Sequence, residues 1–189
     1  MHIHQFLQPL AGAIGLVAYI VIIVGIFKAN VKQSFAAFML WAMLDSIATV
    51  TSVIEQGNYW LPFSNALGST TIAILLAIRK QISWSRIETL TLILVILCLI
   101  VWFVAGEQAG IIVSSLAVVI ASIPQMKETY AKPEATPVNA YIIFLLGNFV
   151  AFFAGKSWSI EERFYPACSV FLCVVIVVLA LRNKKVITN

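Results

Sequence analysis

The chain has 189 residues, of which 61% are hydrophobic and only 11% are charged, and its formal net charge is +4. A soluble domain is about a quarter charged because water must wet its surface, so the composition excludes an ordinary soluble protein. The basic residues form no cluster on a polar segment, which argues against a nucleic-acid partner. We therefore expect an all-α membrane protein whose surroundings are the lipid bilayer.

Seven apolar segments follow one another along the chain, separated by short connections. Residues 109–126 and 164–181 contain no charge, and each stretch is long enough to cross about 30 Å of hydrocarbon as a helix. Backbone in lipid must satisfy its own hydrogen bonds, so all seven segments are predicted to be transmembrane helices. The predicted helices cover residues 8–27, 34–54, 61–78, 87–105, 109–127, 137–155 and 164–182.

The basic residues are distributed unequally between the connections. If the chain spans a membrane seven times, ten of its twelve lysines and arginines lie on one side, and only Lys156 and Arg163 lie on the other. Connections on the cytoplasmic side retain positive charge. The pattern predicts a multi-pass protein of the inner (plasma) membrane, with its N-terminus outside and its C-terminus in the cytoplasm.

The first three predicted helices resemble the last three in sequence. The third and seventh each open with a proline, Pro62 and Pro166, and the other helices align at residue-number differences of 103 and 99. These alignments pair Asp45 with Asn148, Trp41 with Phe144, and Gly25 with Pro124. We expect a 3+1+3 arrangement: residues 1–82 as the first repeat, 83–107 as a linker helix, and 108–189 as the second repeat with a cytoplasmic tail. Parallel repeats of this kind occur in transporters, with the substrate site near the midplane.

A short motif lies near the end of the fifth predicted helix. The stretch Ser122-Ile123-Pro124-Gln125, followed by Lys127 and then by Phe144-Leu145-Leu146-Gly147-Asn148, resembles the PQ-loop motif. The 3+1+3 plan resembles the SWEET/SemiSWEET and PQ-loop transporter superfamily. That resemblance implies two triple-helix bundles that rock around a central pocket, and it implies a sugar, or an amino acid moved with protons, as substrate. This sequence departs from the family pattern at Gly25, where the family has a proline.

Asp45 lies near the middle of the second predicted helix, where a carboxyl costs about 2.5–3.5 kcal/mol to insert and usually serves a pathway. Trp41, Asp45 and Thr49 recur every four residues, which places them on one helical face. An indole beside hydrogen-bonding groups suits a sugar or another amphipathic solute. The alternatives are a structural hydrogen bond for Asp45 and helix–helix contact for Thr49. Asp45 can also carry a proton or pair with a substrate ammonium, so protons are a second predicted partner.

The second half supplies matching candidates. Asn148 and Phe144 share a helical face, and Ser169 aligns with Asn65 when the two prolines are matched. The predicted substrate-binding residues are Trp41, Asp45, Thr49, Asn65, Phe144, Asn148 and Ser169. Pro124 interrupts the helical hydrogen-bond ladder, so Pro124, Gln125 and Gly25 are predicted gate or hinge positions. The alternative for Pro124 is an ordinary helix end.

We expect a transporter that moves a small polar solute by alternating access, with a sugar preferred as substrate. One alternative is a proton-linked carrier of an amino acid or of another amine or vitamin. Another is a seven-helix receptor or a membrane enzyme, although the predicted spans contain no Ser/His/Asp or Cys/His constellation. No catalytic residue, cofactor or metal is expected. One chain contains both halves of the pocket, so an oligomer is not required.

Overall fold

A computed structural model describes residues 3–28, 31–54, 58–105 and 107–182, and it contains only helices and connections within these ranges. The described residues form eight α-helices and one 3-10 helix. They are α1 (Ile3–Lys28), α2 (Phe35–Ile54), α3 (Trp60–Ile78), α4 (Arg86–Ala105), α5 (Glu107–Ala121), α6 (Ile123–Ala131), the 3-10 helix Pro133–Ala135, α7 (Val138–Phe153) and α8 (Ile160–Leu181). Six of the seven predicted segments each coincide with one helix to within a few residues.

The fifth predicted segment is divided between two helices, and the division lies next to Pro124, the residue predicted to interrupt the hydrogen-bond ladder. Ser122 separates α5 from α6. Pro124 has no backbone N–H to donate to the carbonyl of Ile120, so the ladder breaks there, and proline is well tolerated in the first turn of the new helix α6. The helix then continues to Ala131, beyond the predicted end at residue 127.

Among the described residues, three helices are long and apolar enough to cross a membrane: Ile3–Lys28, Trp60–Ile78 and Glu162–Leu181. Two further stretches, Phe35–Val50 and Val138–Phe153, are apolar but shorter. The outward faces of these helices expose large apolar side chains, such as Ile20 at 58% and Val178 at 61%. Apolar outer faces on long apolar helices are the features expected of a membrane protein.

The helices pack in a cyclic order. α3 packs against α1 and α2, and α8 packs against α5 and α7. α1 also contacts α7, and α2 also contacts α5. The order around the bundle is therefore α1, α3, α2, α5, α8, α7, while α4 packs on the outside against α5 and α6. In each group of three, the last helix in the chain lies between the other two.

Close contact between α1 and α3 depends on glycine. A Cβ at Gly68 would overlap the ring of Tyr19, and a Cβ at Gly12 would come within 2.8 Å of the Trp60 carbonyl oxygen. Small residues allow helix backbones to approach closely in a membrane bundle. The absence of a side chain at Gly68 leaves the space that the Tyr19 ring occupies in the core.

Three basic side chains hold one end of the bundle together. Arg79 donates to the Ile26 carbonyl at 3.3 Å, Lys127 pairs with Glu88 at 3.3 Å, and Arg182 donates to the Tyr130 carbonyl at 2.8 Å. These contacts bring together the ends of α1, α3 and α8, the start of α4, and α6. We call this the basic end. Arg163 lies at the opposite end, where it donates to the carbonyls of Phe152 and Gly155.

Candidate functional site

A cavity of about 40 Å³ lies in the middle of the bundle and is lined by all six helices of the cyclic order. Eleven of its twelve lining residues are buried, and Tyr165 is half-buried. The lining residues are Tyr19, Trp41, Asp45, Asn65, Val118, Tyr141, Phe144, Asn148, Tyr165, Ser169, Leu172 and Cys173. The space accommodates about three water-sized groups, since about 10–15 Å³ of such volume holds one water.

Six of the seven predicted substrate-binding residues line this cavity: Trp41, Asp45, Asn65, Phe144, Asn148 and Ser169. The seventh, Thr49, is not among the lining residues. Its hydroxyl donates to the main-chain carbonyl of Asp45 at 2.6 Å, within the same helix. The structure thus brings residues from four predicted helices to one place.

The lining residues are related in pairs by the sequence repeat. Eight of the twelve form four pairs, and each pair has one member in each half of the chain. The pairs are Tyr19 with Val118, Trp41 with Phe144, Asp45 with Asn148, and Asn65 with Ser169. The two halves present corresponding positions but different chemistry, because the tyrosine, the indole and the carboxyl all belong to the first half.

The Asp45 carboxyl is hydrogen-bonded across the cavity. The Tyr165 hydroxyl donates to Asp45 Oδ1 at 2.6 Å, and the Asn65 amide nitrogen donates to the Tyr165 hydroxyl at 3.4 Å. The carboxyl is only 3% exposed, and no basic side chain is among the residues that line the cavity. In the described part of the chain, this acid is therefore stabilised by a hydroxyl group, which an amide group supports in turn, and not by a cation.

Asn148 lines the cavity, and its side-chain oxygen is an acceptor without a partner among the described residues. Its amide nitrogen donates to the Phe144 carbonyl at 2.9 Å and to Cys173 Sγ at 3.7 Å. Its Oδ1 is buried, and within the described ranges no donor reaches it. An unsatisfied buried acceptor costs about 1–3 kcal/mol, so a ligand that donates a hydrogen bond here gains free energy.

A buried polar network closes the cavity toward the basic end. Trp41 Nε1 donates to Ser122 Oγ at 3.0 Å, and the Tyr141 hydroxyl donates to Gln33 Oε1 at 2.7 Å. The network also contains Ser34, whose backbone N–H donates to Gln125 Oε1 at 2.8 Å. It joins the α1–α2 connection and α2 to the α5–α6 break and α7.

The predicted gate residues differ in their placement. Gln125 is fully buried within the polar network, and Pro124 lies in the first turn of the helix that carries it. Gly25 lies in the unbroken helix α1, where a Cβ would come within 2.8 Å of the Val31 side chain. The backbone is therefore interrupted in the second half and continuous at the repeat-related position of the first.

Sequence reasoning did not single out Tyr19 and Tyr165 as site residues. A tyrosine in an apolar helix is usually a core or interface residue, so neither carries a strong signal alone. The signal for Tyr165 is its position directly before Pro166, one helical turn from Ser169. The signal for Tyr19 is its alignment with Val118 at the difference of 99, inside the repeat.

No protein-family model, no curated protein and no solved structure matches this chain. Within the described ranges, no group of three His, Cys, Asp or Glu side chains is placed to hold a metal ion. What the arrangement offers chemically is a buried carboxyl, an unpartnered amide oxygen and aromatic walls. Groups of this kind line the binding sites of small polar solutes in other proteins.

Proposed function

We propose that this chain is a membrane transporter that moves a small polar solute by alternating access. The observation that supports the proposal best is the mid-bundle cavity, lined by repeat-related pairs from two three-helix groups. A site between two repeats, near the midplane, is the typical transporter arrangement.

The proposed topology is seven spans: α1, α2, α3, α4, α5 together with α6, α7 and α8. The shared packing order of α1–α3–α2 and α5–α8–α7 supports two parallel repeats, with α4 as the linker. The basic end faces the cytoplasm in this proposal, since positive residues are retained there. The N-terminus is then outside, the C-terminus inside, and the protein multi-pass in the plasma membrane. We also propose that the chain is related to the SWEET/SemiSWEET and PQ-loop superfamily, because Pro124-Gln125 resembles the motif of that superfamily.

Contacts between helices close the cavity at both ends, and a rocking motion would break the contacts at one end while it keeps those at the other. Toward the basic end these are the hydrogen bonds of the polar network, centred on Gln125. Toward the opposite end, Ala11, Leu61 and Ala151 form a small apolar cluster against Tyr165. Opening one set while the other stays closed gives access from one side at a time, with the α5–α6 break at Ser122 as the hinge.

The test is uptake into proteoliposomes of a labelled panel of sugars, amino acids and amines, with and without an inward proton gradient. We expect saturable uptake of at least one panel member, strongly reduced by Asp45→Asn. Ser46→Ala is the matched control, because Ser46 is the neighbouring residue on the exposed face of α2 and bonds only its own helix in the described contacts. Absence of saturable uptake across the panel would contradict transport and favour the receptor or enzyme alternatives.

Dependence on the proton gradient separates two forms of the proposal. Uptake that is indifferent to the gradient indicates facilitated diffusion. Gradient-driven uptake that Asp45→Asn abolishes indicates the proton-linked alternative, which the buried carboxyl favours.

A further inference from the structure

The cavity contains two side chains, Asp45 and Asn148, whose hydrogen-bond acceptors are not fully satisfied by the described residues. Asn148 Oδ1 is buried without a partner within the described ranges. Asp45 is a carboxyl whose described contact is one neutral hydroxyl. Buried charges in proteins are normally paired with an opposite charge, and the lining residues supply none.

Four donors that line the cavity are already bonded to other parts of the chain. Trp41 donates to Ser122, Tyr141 to Gln33, Tyr165 to Asp45, and the Asn148 amide nitrogen to the Phe144 carbonyl. A ligand that presents an anion would need donors of this kind. Most of the donors that line the cavity are thus committed, and no lysine, arginine or histidine is among the lining residues, so the cavity is poorly suited to a carboxylate or a phosphate.

The walls of the cavity are aromatic. Tyr19 and Phe144 meet edge to face with ring centroids 4.6 Å apart, and Tyr141 lies 6.0 Å from Phe144. Trp41 and Tyr165 complete the aromatic lining. Aromatic faces attract cations through the ring quadrupole, most strongly where water is excluded. A lone carboxyl, a free amide oxygen and several rings together form a site for an organic cation.

We propose that the cavity binds the ammonium group of a small primary amine that carries no carboxylate. Asp45 and Asn148 Oδ1 accept its N–H bonds from the two halves of the chain, and the aromatic rings surround the charge. The cavity volume of about 40 Å³ suits an ammonium head group better than a sugar ring. This inference rests on the proposed function, whose substrate class it names, and it reverses the preference for a sugar.

The first test uses ethanolamine as the probe, with ethylene glycol as its neutral counterpart and glycine as the carboxylate-bearing counterpart. Binding to the purified full-length protein is measured by isothermal titration. We expect saturable ethanolamine binding that is about tenfold or more tighter than that of either counterpart, because a hydrogen-bonded charge pair contributes at least that ratio. Equal binding of ethylene glycol, or no binding of ethanolamine, would overturn the inference without any variant being needed.

The sequence repeat provides a second, sharper test. Asp45→Asn is expected to weaken ethanolamine binding about tenfold or more. The double variant Asp45→Asn with Asn148→Asp moves the carboxyl to the repeat-related position, and it is expected to regain most of the lost affinity. Ser46→Ala is the control. If the double variant melts like the natural protein yet stays as weak as Asp45→Asn, then the carboxyl does not act through charge in the cavity.

Exchange of labelled ethanolamine across proteoliposomes separates this inference from the proposed function. Binding without exchange supports the ammonium site and contradicts transport. Exchange of glucose without binding of ethanolamine supports transport and contradicts the ammonium site.

Discussion

The hydroxyl of Tyr165 links three helices next to the buried carboxyl of Asp45. Tyr165 lies in α8, donates to Asp45 in α2, and accepts a hydrogen bond from Asn65 in α3. It is also the least buried of the residues that line the cavity. Its hydroxyl therefore connects the two halves of the chain at the edge of the cavity.

Replacing Tyr165 with phenylalanine keeps the ring and removes only the hydroxyl. We expect the free energy of unfolding to fall by about 1–3 kcal/mol, because a buried acceptor loses its donor. Thermal melting in detergent measures the effect, with Tyr59→Phe as the control at an exposed tyrosine. An unchanged melting temperature would mean that Asp45 does not depend on Tyr165.

At the residue scale, the sequence predicts polar residues in the cavity better than aromatic ones. Asp45 and Asn148 stand out because a polar side chain is costly in an apolar helix, and the repeat pairs them. Tyr19 and Tyr165 do not stand out, since tyrosine is common in cores and at interfaces. Thr49 follows the helical period, but its hydroxyl bonds the backbone of its own helix, a local choice that periodicity does not reveal.

At the scale of the elements, the break between α5 and α6 determines where the polar network forms. Pro124 ends the ladder of α5, and Ser122 and Gln125 on either side bond to Trp41 and to the backbone of Ser34. The motif is visible in the sequence, and Gln125 was a predicted gate residue. Its partner was not predictable, because the contact joins residues 91 positions apart along the chain.

Gln125→Ala removes the acceptor for the Ser34 N–H. The variant is therefore expected to destabilise the state in which the cavity is closed at the basic end. A hydrogen bond contributes about 1 kcal/mol net, so the population open at that end should rise about fivefold. Cys173 lines the cavity and is 2% exposed, so its rate of reaction with a polar maleimide reports this opening. The measurement uses a background in which Cys98 and Cys168 are replaced by serine.

The matched control for Gln125→Ala is Gln8→Ala, which removes a glutamine at the opposite end that bonds the Ala154 carbonyl. That variant should leave the labelling of Cys173 from the basic end unchanged. An equal rate in the natural protein and in Gln125→Ala would show that the polar network is not the closure on this side.

At the scale of the whole molecule, hydropathy alone predicts that the apolar segments are helical and where most of them begin and end. A long apolar run has no other way to satisfy its backbone in lipid. The packing order of the helices is not predictable this way, because it depends on side-chain fit such as Tyr19 against Gly68. The repeat supplies part of that missing information, since corresponding helices occupy corresponding places around the cavity.

The last prediction concerns orientation, which follows from charge and not from packing. Ten of the twelve basic residues lie on one side of a seven-span chain, and the contacts of Arg79, Lys127 and Arg182 place these three at one end of the bundle. Positive residues resist transfer across the membrane, so this end should face the cytoplasm. Single cysteines at the exposed Ser83 and Ser157 test the two sides in a background with the natural cysteines replaced by serine.

In intact cells, a membrane-impermeant thiol reagent should label Ser157→Cys, and it should label Ser83→Cys only after permeabilisation. The reverse labelling pattern would still indicate an odd number of spans between the two positions. It would show that the orientation in the membrane is opposite to the proposed one. Labelling of both cysteines in intact cells would place both connections outside, and the seven-span topology would then be wrong. The two positions are separated by three proposed membrane-crossing units, which are α4, α5 with α6, and α7, so they face opposite sides if all three units cross the membrane.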